Sequence, residues 1–205
     1  MVLVESMFFP PVAVIADLIR NDTIVLERHE HYQKRSFRNR VYLKSSQGKT
    51  CFTVPLTKGK NNQRPIVDCT ISNDHDWVDQ FLRQLQSDYG NAPYYEDYID
   101  EVIDILSIEH SNLYNLNKHS LIWALEKIGQ KMPIKDSKMY IKSSEIVDSL
   151  DIRGRYQPNT KFFASKGQIN YPQVYEEKNG FISGLSILDM LFCCGPESLI
   201  YMNSQ

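Results

Sequence analysis

The sequence predicts an α/β chain: an N-terminal βαβ unit with a mixed sheet, followed by a helical C-terminal half. Three observations predict it. Two apolar runs flank a helical pattern within the first 28 residues, two further β-rich runs surround a Gly-containing turn, and the apolar period changes from strand-like to helix-like after Ser72. With 205 residues, 42% apolar and 23% charged content, one domain is expected, mainly sheet over 1–72 and mainly helical over 73–205.

Val2-Leu3-Val4 and the residues up to Phe9 have the β-branched and aromatic content of a buried strand. Pro10-Pro11 stops it and suits the first turn of a helix carrying Val12, Ile15, Ala16 and Ile19. Asn21-Asp22 closes that helix, and Thr23–Leu26 is a second strand, expected to lie parallel to the first. Arg40–Leu43 and Thr50–Val54 read as a hairpin with a four- or five-residue loop. Leu56–Arg64 is polar and basic, a surface loop, and Ile66–Ile71 reads as another strand.

Ser72 or Asp74 is a candidate cap for a helix carrying Trp77, Phe81, Leu82 and Leu85. Tyr98, Ile99, Val102, Ile105 and Leu106 form the stripe of a second helix, and Leu121, Ile122, Leu125 and Ile128 that of a third. Ser143–Leu150 is a short candidate helix, 151–180 an ordered loop with short strands, and Ile182–Phe192 a last helix ended by Gly195-Pro196.

Cys51, Cys69, Cys193 and Cys194 show no CxxC pairing, so reduced thiols and a cytoplasmic location are expected. The N-terminal apolar run lacks a preceding positive charge and contains Glu5, Pro10, Pro11 and Asp17, unlike a signal peptide. No run approaches the length of a membrane span, and membrane insertion is not expected.

Charge is the most informative feature. From Arg28 to Arg64 there are ten basic residues and one acid, Glu30, whereas Pro65–Glu126 holds twelve acids against Arg83 and Lys118. The basic block follows the second strand, where open α/β sheets place their ligands. Lys34, Arg38 and Arg40 can fork onto phosphate or carboxylate, with the Asn39 amide beside them. The rival account pairs the two blocks across the surface. A net charge of −2 argues against nucleic acid as a partner.

His29 and His31 flank Glu30, and alternation in an extended segment puts both imidazoles on one side. Such a pair suits acid–base work near neutrality, with Glu27 or Glu30 fixing the tautomer. Zinc would need Glu27 or a distant histidine as third ligand, and neither a metal nor a cofactor is expected.

The ordered series Met7-Phe8-Phe9-Pro10, Glu27–Arg40, Thr53-Val54-Pro55-Leu56, Asp76-Trp77, Tyr89–Tyr95, Tyr171–Tyr175, Leu185–Phe192 and Gly195–Ser198 resembles the WbqC-like protein family, notably its short members from Bacteroidetes. Longer members of this family of largely unknown function occur in gene clusters for O-antigen and other surface polysaccharides. The resemblance therefore implies a transferase (acyl or glycosyl-related) for a nucleotide-activated sugar or amino sugar. On that reading His29 or His31 is the general base and Lys34, Arg38, Asn39 and Arg40 hold the anionic small molecule. Tyr32, Gln173 and Tyr175 then belong to the substrate rim. The chain is shorter than the long members between Asp151 and Asn170, and it has Pro10-Pro11 where they carry a Pro-Trp-x-Gly-Tyr run. The alternative is a non-enzymatic adaptor, or a self-associating protein, that docks a protein or polymer through its opposed charges.

Overall fold

The computed structural model describes residues 1–59, 61–73, 76–110, 112–145, 149–158 and 169–204. β1 (Val2–Val4) and β2 (Ile24–Leu26) are fully buried apolar triplets joined by α1 (Val12–Ile19), and they pair in parallel with Val4 opposite Leu26. This is the βαβ unit read from the sequence. Continuous apolar runs are what a strand covered on both faces requires.

Two further strands complete the sheet, both from the half expected to be helical. β5 (Ile134–Asp136) pairs with β2 and β6 (Leu150–Asp151) with β1, again in parallel, giving the spatial order β5-β2-β1-β6. The chain fills the sheet outward on one side of β1 and then returns to its other side. This third–second–first–fourth arrangement has its switch point between β1 and β6, the place where open α/β sheets form a crevice.

β3 (Arg40–Ser45) and β4 (Gly48–Thr53) form a separate antiparallel hairpin. The fold is thus α/β with both kinds of pairing, divided between two sheets. The hairpin loop has two residues, Ser46 and Gln47, where the sequence pattern predicts four or five. Gly48 accommodates the tight reversal at φ 101°, a conformation a Cβ would disfavour. The expected strand over Ile66–Ile71 is instead a 3-10 turn, Ile66–Asp68, after which Ile71 bridges Leu56. Pro65 donates no hydrogen bond to a ladder and starts the turn. The Leu56–Arg64 loop is tied down at its flanks, Thr57 N donating to Thr70 O and Tyr32 N to Arg64 O.

α2 (Trp77–Tyr89) buries Trp77, Phe81, Leu85 and Tyr89 on one stripe; its N-cap is Asp76, while the candidate cap Asp74 lies outside the described residues. α3 (Tyr95–Ser107) follows the predicted stripe, with Glu96 and Asp97 beside the positive end of its dipole. α4 (Leu113–Lys127) starts eight residues before the helix its apolar stripe marks, capped by Asn112, whose Oδ1 accepts from Asn115 N. Of the helix expected over Ser143–Leu150, a 3-10 turn at Ser143–Glu145 is present, residues 146–148 lie outside the described residues, and Leu150 belongs to β6. In the 151–180 segment, residues 159–168 lie outside the described residues, and α5 (Glu176–Asn179) follows.

α6 (Ile187–Cys194) is the central pillar, in contact with α1, α3, α4, β3 and the closing helix α7 (Ser198–Asn203). Its start is fixed by backbone: Ser186 N donates to Tyr42 O and Ile187 N to Pro10 O. The core is a contiguous apolar cluster in which Phe8, Phe9, Phe81 and Trp123 meet edge to face or tilted. The four cysteines are free thiols.

Candidate functional site

All four parallel strands end at one edge, and the first residues past each strand meet there. Glu5 follows β1, Glu27 follows β2, Ser137 follows β5, and Ile152-Arg153-Gly154 follows β6. Glu27 is completely buried and fully hydrogen-bonded: Oε1 accepts from Ser137 Oγ and from His29 N at 3.0 Å. Its Oε2 accepts from Ile141 N at 3.1 Å and Arg153 Nη1 at 3.0 Å. Arg153 spends its other donors on Asp151, Nε on Oδ1 at 3.0 Å and Nη2 on Oδ2 at 2.8 Å, and its guanidinium lies over the Tyr140 ring. Despite partial burial, these bonds hold the Asp151 carboxyl below its ordinary range and raise Arg153 above its own.

A second charged group sits beside the first. Arg38, 3% exposed, donates from Nε (2.9 Å) and Nη2 to Glu30 Oε2, while Glu30 Oε1 accepts from Ser6 N and Ser6 Oγ. Glu5 Oε2 accepts from Gly154 N at 2.9 Å, and Glu5 Oε1 stands 3.9 Å from Arg38 Nη2. Burial pushes the Glu5 carboxyl up to about 7; the Arg38 charge opposes this and the Glu30 charge adds to it. Burial likewise raises Glu30 against the pull of Arg38. Asn117 of α4 clamps the group from behind by donating to Arg38 O at 2.8 Å. Glu5 Oε1, Arg38 Nη1 and Asn117 Oδ1 are buried without a hydrogen-bond partner among the described residues.

Between these groups lies a hollow of about 340 Å³, lined by Glu30, His31, Gln33, Arg38, Tyr140, Ser143, Asp151, Arg153 and Gly154. It opens at the carboxyl edge of the parallel sheet, beside the switch point between β1 and β6. Paired titratable groups, a histidine and an aromatic wall give it the means to orient a polar ligand and move a proton.

The structure brings Glu27, Glu30, His31 and Arg38 to this edge. His31 and Tyr32 also line a neighbouring hollow of about 640 Å³ with Gln33, Asn62 and Gln63. His29 is exposed and lines neither hollow, so the two imidazoles do not converge. Lys34 is exposed on a turn, and Arg40 sits in β3 opposite Thr53. Asn39 is internal to the fold, Oδ1 accepting from Tyr32 Oη and Nδ2 donating to Val54 O. Gln173 is buried against the hairpin, where Oε1 accepts from Lys44 Nζ and Ile182 N. Tyr175, in a left-handed conformation, reaches toward Ser87 O. Neither lines the strand-end hollow.

Sequence reading missed Glu5, Asp151 and Arg153. A signal exists for the first: β1 and β2 are each an apolar triplet followed by glutamate, VLV-Glu5 and IVL-Glu27, in parallel register. Asp151 and Arg153 lie in the aperiodic 151–180 stretch, where no local pattern marks them.

The fold and this edge define an α/β protein with a charged ligand-sized crevice at its strand ends. The profile of the WbqC-like protein family matches residues 5–160 and 156–201, and the chain belongs to that family. It is similar to "Uncharacterized protein Rv1507c" of Mycobacterium tuberculosis, 26% identical over 204 residues, an alignment covering 88% of this chain and 87% of that protein. No solved structure matches the chain. Among the described residues, no helix is long and apolar enough to cross a membrane.

Proposed function

We propose that the protein is a cytoplasmic transferase that takes a nucleotide-activated sugar or amino sugar into the strand-end hollow, in surface-polysaccharide biosynthesis. The observation that carries this reading is the coincidence of the hollow with the switch point of the parallel sheet, with Arg38 on its wall. Arg38 Nη1 is a guanidinium donor left without a partner among the described residues, suited to an oxygen of the ligand. His31, exposed at the rim, is the group placed to exchange a proton with bulk water during transfer.

A thermal-shift panel of nucleotide sugars on the wild type and on His31→Ala tests it. The exposed histidine can be removed without emptying the core, so the fold survives. A melting-temperature rise with at least one nucleotide sugar, reduced in the variant, is expected. Absence of any response in the wild type, or equal responses in both proteins, defeats the reading.

A further inference from the structure

The two hollows differ in how their charges are answered. On the wall of the strand-end hollow, Arg153 is paired with Asp151 and Glu27, and Arg38 with Glu30. A phosphate there would compete with carboxylates already bonded to both guanidinium groups, at a partly desolvated wall where like charges repel strongly. Arg38 Nη1, left without a partner among the described residues, suits a single uncharged oxygen such as a sugar hydroxyl or an amide carbonyl.

The neighbouring hollow of about 640 Å³ is built differently. Its wall is His31, Tyr32, Gln33, Asn62 and Gln63, with no carboxylate among them. Backbone pairing holds two chain segments together around it: Gln63 N donates to Tyr32 O, Tyr32 N to Arg64 O, and His31 bridges Pro65. Residues 28–35 are thereby brought beside 58–64, and the one acid in these two stretches, Glu30, is buried against Arg38. Lys34 and Arg35 directly follow Gln33, and Arg64 directly follows Gln63. Together with Lys58 they form no ion pair among the described residues. Lys34, Arg35 and Lys58 are exposed, and Arg64 is half-buried. Arg35 and Gln63 also keep left-handed backbones, at φ 60° and 65°, a strain that proteins retain chiefly at functional sites. Unanswered cations beside carboxamides that can donate to oxygen make an anion site.

His31 and Gln33 belong to both walls, so the hollows adjoin. We propose that the larger hollow is a subsite for the diphosphate of the substrate, with Gln33, Asn62 and Gln63 donating to its oxygens and Lys34, Arg35 and Arg64 supplying the opposite charge. The inference rests on the reading of the strand-end hollow as the place the sugar enters, and states where the rest of the molecule lies. The sugar occupies the hollow whose charges are paired, the diphosphate occupies the one whose cations are not, and His31 stands at the junction between them.

Two pairs of backbone amides tell the hollows apart. Tyr32 N and Gln63 N belong to the larger one, whereas Ser6 N donates to Glu30 and Gly154 N to Glu5 beside the strand ends. The test is an amide-resolved NMR titration with inorganic pyrophosphate on the wild type, on the double variant Lys34→Gln with Arg64→Gln, and on Lys131→Gln. Lys131 is an exposed control that precedes β5, at the opposite edge of the sheet. Pyrophosphate should move the Tyr32 and Gln63 signals and leave those of Ser6 and Gly154 in place. The double variant should weaken binding by about tenfold, while the control binds as the wild type does. Should the double variant fail to fold, Lys34→Gln alone, on its exposed turn, carries the same comparison. Movement of Ser6 and Gly154 instead, equal weakening by the control, or no binding overturns the proposal. If nucleotide sugars still raise the melting temperature of the wild type in any of those cases, the phosphate placement alone falls. If pyrophosphate selects Tyr32 and Gln63 but no nucleotide sugar acts, the phosphate site stands and the transferase reading falls.

Discussion

Arg153 and Glu27, 126 positions apart in the chain, are joined at 3.0 Å across the end of β1. β6 and β2 flank β1 in the sheet, so this contact straps the ends of these two strands over the end of the one between them. Four donors converge on the Glu27 carboxylate, which has no exposed surface.

Glu27→Ala should therefore destabilise the protein by about 3–5 kcal/mol, the range for breaking one side of a buried pair. Arg153→Ala should cost less, because Ser137 and two backbone amides still serve Glu27. Urea denaturation with both single variants and the double variant measures this; additive losses would refute the coupling.

The buried Glu5 carboxyl gives a second prediction with a definite sign. Its proton is retained in the folded state up to about pH 7 and lost from the unfolded chain near its ordinary value of 4.5. Between those limits the folded state binds more protons than the unfolded one, so stability falls as pH rises. The loss is on the order of 3 kcal/mol if Glu5 acts alone. Asp189, pushed up to about 6 by burial, contributes in the same direction at slightly lower pH. Glu5→Gln should flatten the decline between pH 5 and pH 7, which denaturation midpoints across that window will reveal.

Asp189 is wholly buried in α6 and accepts from Tyr89 Oη and Tyr171 Oη, each at 2.7 Å. Tyr89 Oη in turn accepts from Lys44 N at 2.8 Å, tying the hairpin to α2 and α6. Tyr171→Phe should cost about 1–3 kcal/mol, the price of removing a hydrogen bond to a buried charged acceptor. Tyr89→Phe should cost more, since it also orphans a backbone amide. Calorimetric melting would rank the two, and the reverse order would refute the network.

Two glycines should respond differently to alanine. Gly129 and Gly195 both have positive φ, 74° and 51°, but a Cβ on Gly129 meets open space while one on Gly195 would lie 2.5 Å from the Tyr94 ring. Gly129→Ala should cost about 1 kcal/mol from the backbone alone. Gly195→Ala should cost at least twice that, because Tyr94 is held by its own backbone bond to Phe192 O. Similar melting temperatures for the two variants would contradict this.

The parts of the fold that could be read in advance are those with local signatures. The VLV and IVL triplets announce the βαβ unit, and the stripes of α2 and α3 announce their helices. The first half of α4 escaped because its buried face carries Asn117 and Ser120, polar residues that bind Arg38 O and Phe9 N rather than pack as an apolar stripe. β5 and β6 escaped because three- and two-residue strands such as IKD and LD exist only by virtue of the partner they pair with. The site was half legible for the same reason. Counting charges along the chain finds the basic block, but its arginine Arg38 faces acids from 8 and 33 positions away, and only the sheet order brings Asp151 and Arg153 to the same edge.

That order of assembly matters for a chain emerging from the ribosome. Glu27 is synthesised early, while the guanidinium that neutralises it arrives with residue 153, in the last strand to join the sheet. A nascent chain or a fragment ending before β6 carries a glutamate whose burial is costlier for want of its counter-ion. The crevice consequently matures only once β6 and Arg153 have been made, and truncation ahead of Leu150 would erase it while leaving the residues of the βαβ unit in the chain.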